Sequence, residues 1–139
     1  MPNIREVMTT HPTTFPASAT VVEAAQAMKR EEIGDVIVMD QADQICGVVT
    51  DRDIVVRTIA EDRDPTSTKL GEICSRDLTT LSPNDEVGDA VKLMKKNAVR
   101  RVPIVENGRP VGIVSLGDLA VTHDPNSGLA EISAAPSNN

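Results

Sequence analysis

The 139-residue sequence predicts an α+β fold made of two βαββα repeats that pack face to face about a pseudo-twofold axis. The main observation is a duplication, because an offset of 66 residues places Ile4 on Leu70 and Met28 on Met94. In each copy, a helical pattern is followed by two apolar runs of strand length. A copy of about 55 residues buries too little surface to be stable alone. We therefore expect one domain with two equivalent clefts.

The composition is that of a folded protein and argues against several classes of partner. Apolar residues make up 40% of the chain, and the net charge of −7 disfavours nucleic acid or an anionic membrane surface. Phe15 is the only aromatic residue, so the chain has no platform on which bases could stack. No apolar run approaches the roughly 20 residues that span a bilayer. The amino terminus lacks a secretory signal pattern, and we expect a cytoplasmic protein.

Each copy begins with an apolar lead-in, at residues 4–8 and 70–74, followed by an extended Thr-Thr segment. The next helix has apolar residues at positions i, i+3, i+4 and i+7, which is the pattern of a helix covering a core on one side. These residues are Val21, Ala24, Ala25 and Met28 in the first copy and Val87, Ala90, Val91 and Met94 in the second. Thr20 and Glu23 predict a capping box at the start of the first of these helices.

A pair of strands follows each helix, at 36–39 and 46–49 in the first copy and at 102–105 and 111–114 in the second. Asn107-Gly108 joins the second pair and tolerates positive φ, which is typical of a tight type I′ hairpin. We therefore expect the two strands of each pair to be antiparallel neighbours.

A last helix closes each copy, over about 51–60 and 116–122, because apolar residues recur there at helical spacing. The first repeat then spans 1–60 and the second 70–122, with 61–69 as a linker. The tail, 123–139, has room for one short helical turn at 129–133.

The junction between the last strand and the last helix carries the same motif in both copies. Thr50 is followed three residues later by Asp53, and Ser115 by Asp118. This spacing is typical of a capping box that satisfies the first N–H groups of a helix. A helix amino terminus also attracts phosphate, and an adjacent carboxylate can accept both hydroxyls of a ribose. The two roles are compatible, so both stay open.

Gly47 and Gly112 lie in the strands that lead to this motif. A glycine there would let a flat base approach the backbone closely. The alternative is a bulge or a packing constraint.

No catalytic or metal-binding constellation is evident. His11 and His123 lie in Pro-flanked segments at opposite ends of the chain, with no paired nucleophile. Cys46 and Cys74 lack the spacing of a zinc or redox motif, and we interpret both as small buried hydrophobic residues. We interpret the acidic residues at 51–53 as helix-start acids that complement the helix dipole.

The duplication, together with GVVTDRD (47–53), GIVSLGD (112–118) and VRRVPIV (99–105), resembles a tandem cystathionine-β-synthase (CBS) domain pair, or Bateman module. The resemblance covers residues 4 to 122. It implies two clefts that hold an adenosine-containing ligand such as AMP, ADP, ATP or S-adenosylmethionine, with no required cofactor. The ligand-binding residues it implies are Thr14, Thr50, Asp53, Thr80, Arg100, Arg101, Ser115 and Asp118. Of these, the two threonines at 14 and 80 would line the base pocket and the arginines would meet phosphate.

The two copies differ where phosphate would bind. Arg100-Arg101 in the second copy corresponds to Gly34-Asp35 in the first, and Pro103 corresponds to Ile37. We therefore expect the two clefts to be occupied unequally. The alternative is that both arginines belong to a solvated junction and pair with surface acids.

The resemblance implies a non-catalytic regulatory module that forms a homodimer. In this hypothesis, ligand binding tightens the two copies against each other and changes a surface that an unknown regulated protein contacts. The alternative is a constitutive dimeric interaction module whose clefts are empty or vestigial.

Overall fold

A computed structural model describes residues 2–76 and 79–123, together with Gly128 and Ile132. The chain divides into two compact units. The first unit is Thr13–Leu78, and the second unit combines Met1–Pro12 with Thr79–Asn139. Helices and two three-stranded sheets build these units, so the predicted α+β class is confirmed.

The secondary-structure elements follow the order of the predicted repeats. The helices are α1 (Ile4–Val7), α2 (Val21–Glu31), α3 (Asp51–Ile54), a π-helix (Val55–Ile59), α4 (Leu70–Ile73), α5 (Val87–Asn97) and α6 (Leu116–His123). The strands are β1 (Thr9–Thr10), β2 (Thr14–Pro16), β3 (Asp35–Met39), β4 (Ile45–Thr50), β5 (Arg101–Glu106) and β6 (Arg109–Ser115). A long helix followed by two strands therefore occurs in each copy, as the periodicity predicts.

The strand pairs predicted after each long helix are antiparallel, which confirms that prediction. In the first unit the strand order is β2-β3-β4, with β2 parallel to β3, and in the second it is β1-β6-β5. Asn107 and Gly108 have φ angles of 54° and 77°, so the turn between β5 and β6 has the predicted positive φ at both positions.

Pro103 explains why the segment beside β5 in the second copy pairs less extensively than β2 pairs with β3 in the first copy. In the first unit, the Ile37 N–H donates to the Thr13 carbonyl at 2.9 Å and helps to pair β2 with β3. Proline at the equivalent position has no N–H to donate. The corresponding segment of the second unit is accordingly an isolated parallel bridge between Leu81 and Ile104.

Each unit has its own hydrophobic core, formed by one face of its long helix and its central strands. The first core contains Ala19, Val21, Ala24, Met28, Val36, Val38, Val49, Leu70, Ile73 and Cys74. The second contains Ile4, Val87, Ala90, Met94, Val102, Ile104, Val114 and Leu119. The apolar stripe predicted for each long helix is the face that the core buries, with two exceptions: Ala25 is only half-buried and Val91 is 39% exposed. Ala27, which the stripe did not include, is fully buried.

The two lead-in segments pack across the repeats. Ile4 of α1 belongs to the core formed by the second copy, and Leu70 of α4 belongs to the core formed by the first. The Ile4 N–H donates to the Asp85 carbonyl at 2.9 Å, and the Leu70 N–H donates to the Ala19 carbonyl at 2.8 Å. The sequence repeats and the compact units therefore divide the chain at different residues.

Two predicted helix boundaries differ from the structure. The helix predicted over 51–60 is α3 followed by the π-helix Val55–Ile59, because apolar spacing does not distinguish i+4 from i+5 backbone bonding. His123 is the last residue of α6 and does not lie in a loop, since the helix extends one residue beyond the predicted end. The turn predicted at 129–133 falls outside the described residues except for Ile132. Among the helices described, none is long and apolar enough to cross a membrane.

Candidate functional site

The first candidate site lies at the start of α3. The Asp53 N–H donates to Thr50 Oγ1 at 3.1 Å, and the Thr50 N–H donates to Asp53 Oδ2 at 2.9 Å. This reciprocal pair confirms the predicted capping box. Asp35 pairs with Thr50 across the sheet, and the Asp51 N–H donates to the Gly34 carbonyl at 3.0 Å. The start of β3 and the start of α3 therefore meet at one end of the sheet.

The second candidate site, at the start of α6, repeats this geometry. The Asp118 N–H donates to Ser115 Oγ at 3.1 Å, and the Ser115 N–H donates to Asp118 Oδ2 at 2.9 Å. Arg101 pairs with Ser115 across the sheet, and the Leu116 N–H donates to the Arg100 carbonyl at 2.8 Å. The structure thus brings both arginines to the same end of the sheet as the serine and the aspartate.

The two threonines of the predicted base pocket lie on the strand segments beside β3 and β5. Thr14 is exposed on β2 and lies opposite Ile37. Thr80 is exposed and directly precedes Leu81, which bridges to Ile104. In each unit, this threonine therefore lies beside the first strand of the antiparallel pair, β3 or β5, on the side away from the strand that carries the hydroxyl–aspartate motif.

Arg57 is a residue of the first site that the sequence analysis did not identify. Its Nε lies 3.7 Å from Asp53 Oδ1, and its guanidinium donates to the Ile73 carbonyl at 3.1 Å. The i, i+4 spacing from Asp53 is the signal that could have revealed the ion pair. At the offset of the second motif, Thr122 occupies the equivalent position. The aspartates of the two motifs therefore have different neighbours in the sequence.

The duplicated geometry corresponds to a known family. The sequence model of the CBS domain matches residues 4–58 and 70–121, which is most of the chain. The chain is a CBS-domain protein. It is 40% identical over 126 residues to the CBS domain-containing protein YhcV of Bacillus subtilis, and the match covers 91% of this chain and 89% of YhcV.

Solved structures of CBS-domain proteins share the fold. The crystal structure of Hypoxic Response Protein I with two coordinated zinc ions matches with a TM-score of 0.77 and 31% identity, covering 88% of this chain and 99% of that one. The CBS domain pair of protein MJ0100, in complex with 5′-methylthioadenosine and S-adenosyl-L-methionine, matches with a TM-score of 0.80. That match covers 91% of this chain and 98% of the other, and at 22% identity it shows the fold alone.

Gly47 and Gly112 of the CBS motifs are packing positions. A Cβ atom at Gly47 would collide with the Ser75 carbonyl oxygen, and one at Gly112 would lie 2.6 Å from Met8 Sδ. The space beside each glycine is therefore filled by protein. The alternative of a bulge or a packing constraint is confirmed in both forms, because a bulge residue also directly precedes each glycine. The Cβ side of each glycine therefore has no room for a base.

A cavity of about 610 Å³ lies between α5 and α6 of the second CBS unit. It is lined by Val91, Met94, Lys95, Ala98, Val99, Arg100, Leu116, Leu119 and Ala120. Arg100 thus lies both at the end of the sheet and in the wall of a largely apolar cavity, which Lys95 also lines. Across residues 2–76 and 79–123, no three His, Cys, Asp or Glu side chains are grouped so that they could hold a metal ion.

Proposed function

We propose that this CBS-domain protein is a non-catalytic regulatory module that binds an adenosine-containing ligand at the end of the second unit's sheet. The observation that carries the proposal is the convergence of Arg100, Arg101, Ser115 and Asp118 at the start of α6. CBS domain pairs are generally regulatory modules, which supports a binding role for the motif.

Each group at this end of the sheet has a defined chemical role in the proposal. The guanidinium groups of Arg100 and Arg101 bind phosphate oxygens, for which their planar donor geometry is suited. The amino terminus of α6 adds the positive end of a helix dipole. A carboxylate has about four acceptor positions, so Asp118 can cap the helix and accept a ribose hydroxyl at the same time.

The first unit is a poorer site for a phosphorylated ligand. Asp35 occupies the position equivalent to Arg101, and it places a negative charge where phosphate would approach. Asp53 is already paired with the half-exposed guanidinium of Arg57. A ligand that binds there must displace or accommodate that ion pair. We therefore infer unequal affinities, with the second unit preferred for nucleotides.

The adenosine part of the proposal is supported by a relative. The CBS pair of MJ0100 is in complex with 5′-methylthioadenosine and S-adenosyl-L-methionine, both of which contain adenosine. Family resemblance assigns the base to the strand segments of Thr14 and Thr80. Because both threonines are exposed, a base can reach them without displacing core side chains.

Calorimetric titration with adenosine, AMP, ADP, ATP, S-adenosylmethionine and NADH tests the proposal. Asp118→Asn removes the charge but keeps a side-chain oxygen that can accept the Ser115 N–H, so the start of α6 is retained. We expect this variant to lose at least tenfold in affinity. Asp53→Asn is the matched control in the other unit, and it should bind the preferred ligand as the wild type does.

The phosphate role is tested separately with the double variant R100Q/R101Q. It should bind AMP about tenfold or more weakly than the wild type but bind adenosine with unchanged affinity. Absence of binding by every ligand of the panel, or an unchanged affinity in Asp118→Asn, would refute the proposed function. In that case the constitutive interaction module becomes the better description.

We also propose that the protein is a homodimer whose contact includes the α5–α6 face. Val91, Leu116 and Val121 expose 37–41% of their surfaces there, beside the apolar cavity. Sedimentation at micromolar concentration should give a dimer, and Val91→Glu with Leu116→Glu should give a monomer. Lys92→Glu, at an exposed polar position of the same helix, is the control that should remain dimeric. A monomeric wild type would contradict this proposal.

A further inference from the structure

The first unit contains two cysteines whose sulfur atoms are neighbours. Cys46 lies on β4 and Cys74 directly follows α4, and their Sγ atoms are 3.6 Å apart. Both are free thiols. A disulfide requires about 2.0 Å, so the two sulfurs need to approach by roughly 1.6 Å. Side-chain rotation supplies movement of this size, provided that the backbone holds both residues in place.

The backbone does hold both residues in place. Met39 pairs with Ile45 and Val38 with Gly47, so Cys46 is the extra residue of a β-bulge. The Cys74 N–H donates to the Leu70 carbonyl at 2.9 Å and caps α4. The next residue exchanges two backbone hydrogen bonds with β4, which fixes the segment of Cys74 beside the strand of Cys46.

The duplication shows that the fold itself does not require sulfur at these positions. Val111 in the second unit is equivalent to Cys46 and is the extra residue of the corresponding bulge. Met8 is equivalent to Cys74. Both residues pack against the second core as ordinary hydrophobic side chains. A thiol pair is therefore a feature that the first unit has in addition to the packing that the two units share.

The two thiols differ in their access to solvent. Cys46 is half-buried, whereas Cys74 is only 6% exposed. Burial and, to a smaller extent, the neighbouring Cys46 together raise the pKa of Cys74 to about 11. An external reagent therefore meets Cys46 first, and Cys74 is the thiol positioned to react second.

We propose that Cys46 and Cys74 form a reversible disulfide by exchange with a low-molecular-weight disulfide such as oxidised glutathione. The Cys46 thiolate attacks one sulfur of the reagent, and the first small thiolate leaves. The Cys74 thiol then loses its proton to solvent and attacks Cys46 Sγ, and the second small thiolate leaves. Two protein thiols are thus oxidised to one disulfide while one small disulfide is reduced to two thiols.

This modification joins β4 to the segment after α4. The Ile73 carbonyl, one residue before Cys74, accepts a hydrogen bond from Arg57, the partner of Asp53. The cross-link is thereby placed next to the first candidate site. The proposal concerns the thiols alone, and it does not depend on ligand binding at either site.

Mass spectrometry of the full chain in glutathione redox buffers tests the proposal. We expect the wild type to become two hydrogen atoms lighter, with one peptide cross-link between Cys46 and Cys74 and reversal by reduced glutathione. Cys74→Ala should instead retain one glutathione on Cys46. Cys46→Val, which places the second unit's residue at this position, should neither cross-link nor retain glutathione at Cys74.

The pH dependence distinguishes the second step from the first. The rate at which the mixed disulfide closes should rise about tenfold per pH unit between roughly pH 7 and 10, because the Cys74 thiolate becomes more abundant. A wild type that accumulates the mixed disulfide without closing, that does not react, or that links two chains would overturn the proposal.

Discussion

Gly47→Ala should destabilise the first unit strongly, because the added methyl group meets backbone and not a flexible side chain. The new Cβ would collide with the Ser75 carbonyl oxygen and would lie 3.0 Å from Cys74 Sγ. That carbonyl accepts from the Val48 N–H at 3.3 Å, and the Ser75 N–H donates to the Val48 carbonyl at 3.0 Å. Moving the carbonyl away therefore weakens the bridge that holds α4 against β4.

The expected cost follows from these contacts. Overpacking a filled site costs about 1–3 kcal/mol. Two weakened backbone hydrogen bonds add about 1 kcal/mol each if both are lost. We expect the free energy of unfolding to fall by about 3 kcal/mol, which corresponds to about 10 °C in the thermal midpoint for a chain of this size.

Gly88→Ala is the matched control because it makes the same chemical change in open space. Gly88 is in the first turn of α5. Apart from its chain neighbours and the backbone of its own helix, no atom of the described residues lies within 4 Å of a Cβ built there. Alanine favours a helix over glycine by up to about 1 kcal/mol, so the midpoint should rise by a few degrees. Differential scanning calorimetry of both variants measures the two shifts. A Gly47→Ala protein within 2 °C or so of the wild type would refute the packing argument.

Three further changes test individual contacts. Thr58 is fully buried and its hydroxyl has no hydrogen-bond partner among the described residues, so Thr58→Val should raise the free energy of unfolding by about 1 kcal/mol in chemical denaturation. The Lys69 N–H and the Arg63 guanidinium lower the pKa of Glu72. The ionised carboxylate therefore stabilises the fold above pH 4.5, the ordinary pKa of the group, and this contribution is lost as the pH falls. Glu72→Gln should accordingly lose less stability than the wild type between pH 7 and pH 3, and an equal loss would contradict this. The pKa of Cys74 is raised from 9.0 to about 11 in the folded protein, so the folded state is favoured below pH 9.0 and loses this stability as the pH rises to about 11. Between these pH values, the free energy of unfolding should therefore fall less steeply in Cys74→Ala than in the wild type.

Local features of the fold were predictable from the sequence because they depend on residues three or four positions apart. The capping boxes at Thr20, Thr50 and Ser115 each connect a hydroxyl to a carboxylate three residues later. The turn at Asn107-Gly108 depends on the φ preferences of its own two residues. Because the two copies align, the same local patterns predicted the same elements in both. The alignment also predicted that the two hydroxyl–aspartate motifs lie at equivalent strand–helix junctions.

Contacts between distant segments were decided by the tertiary structure. An alignment of the two copies shows that Ile4 and Leu70 are equivalent, but it does not show that each packs against the core of the other copy. Nothing local places Cys74 beside Cys46, 28 residues earlier, or fills the space at Gly47 with Ser75. The spacing of apolar residues determines which face of a helix or strand is buried. The segment that packs against that face is determined by the topology of the whole chain, which brings distant segments together.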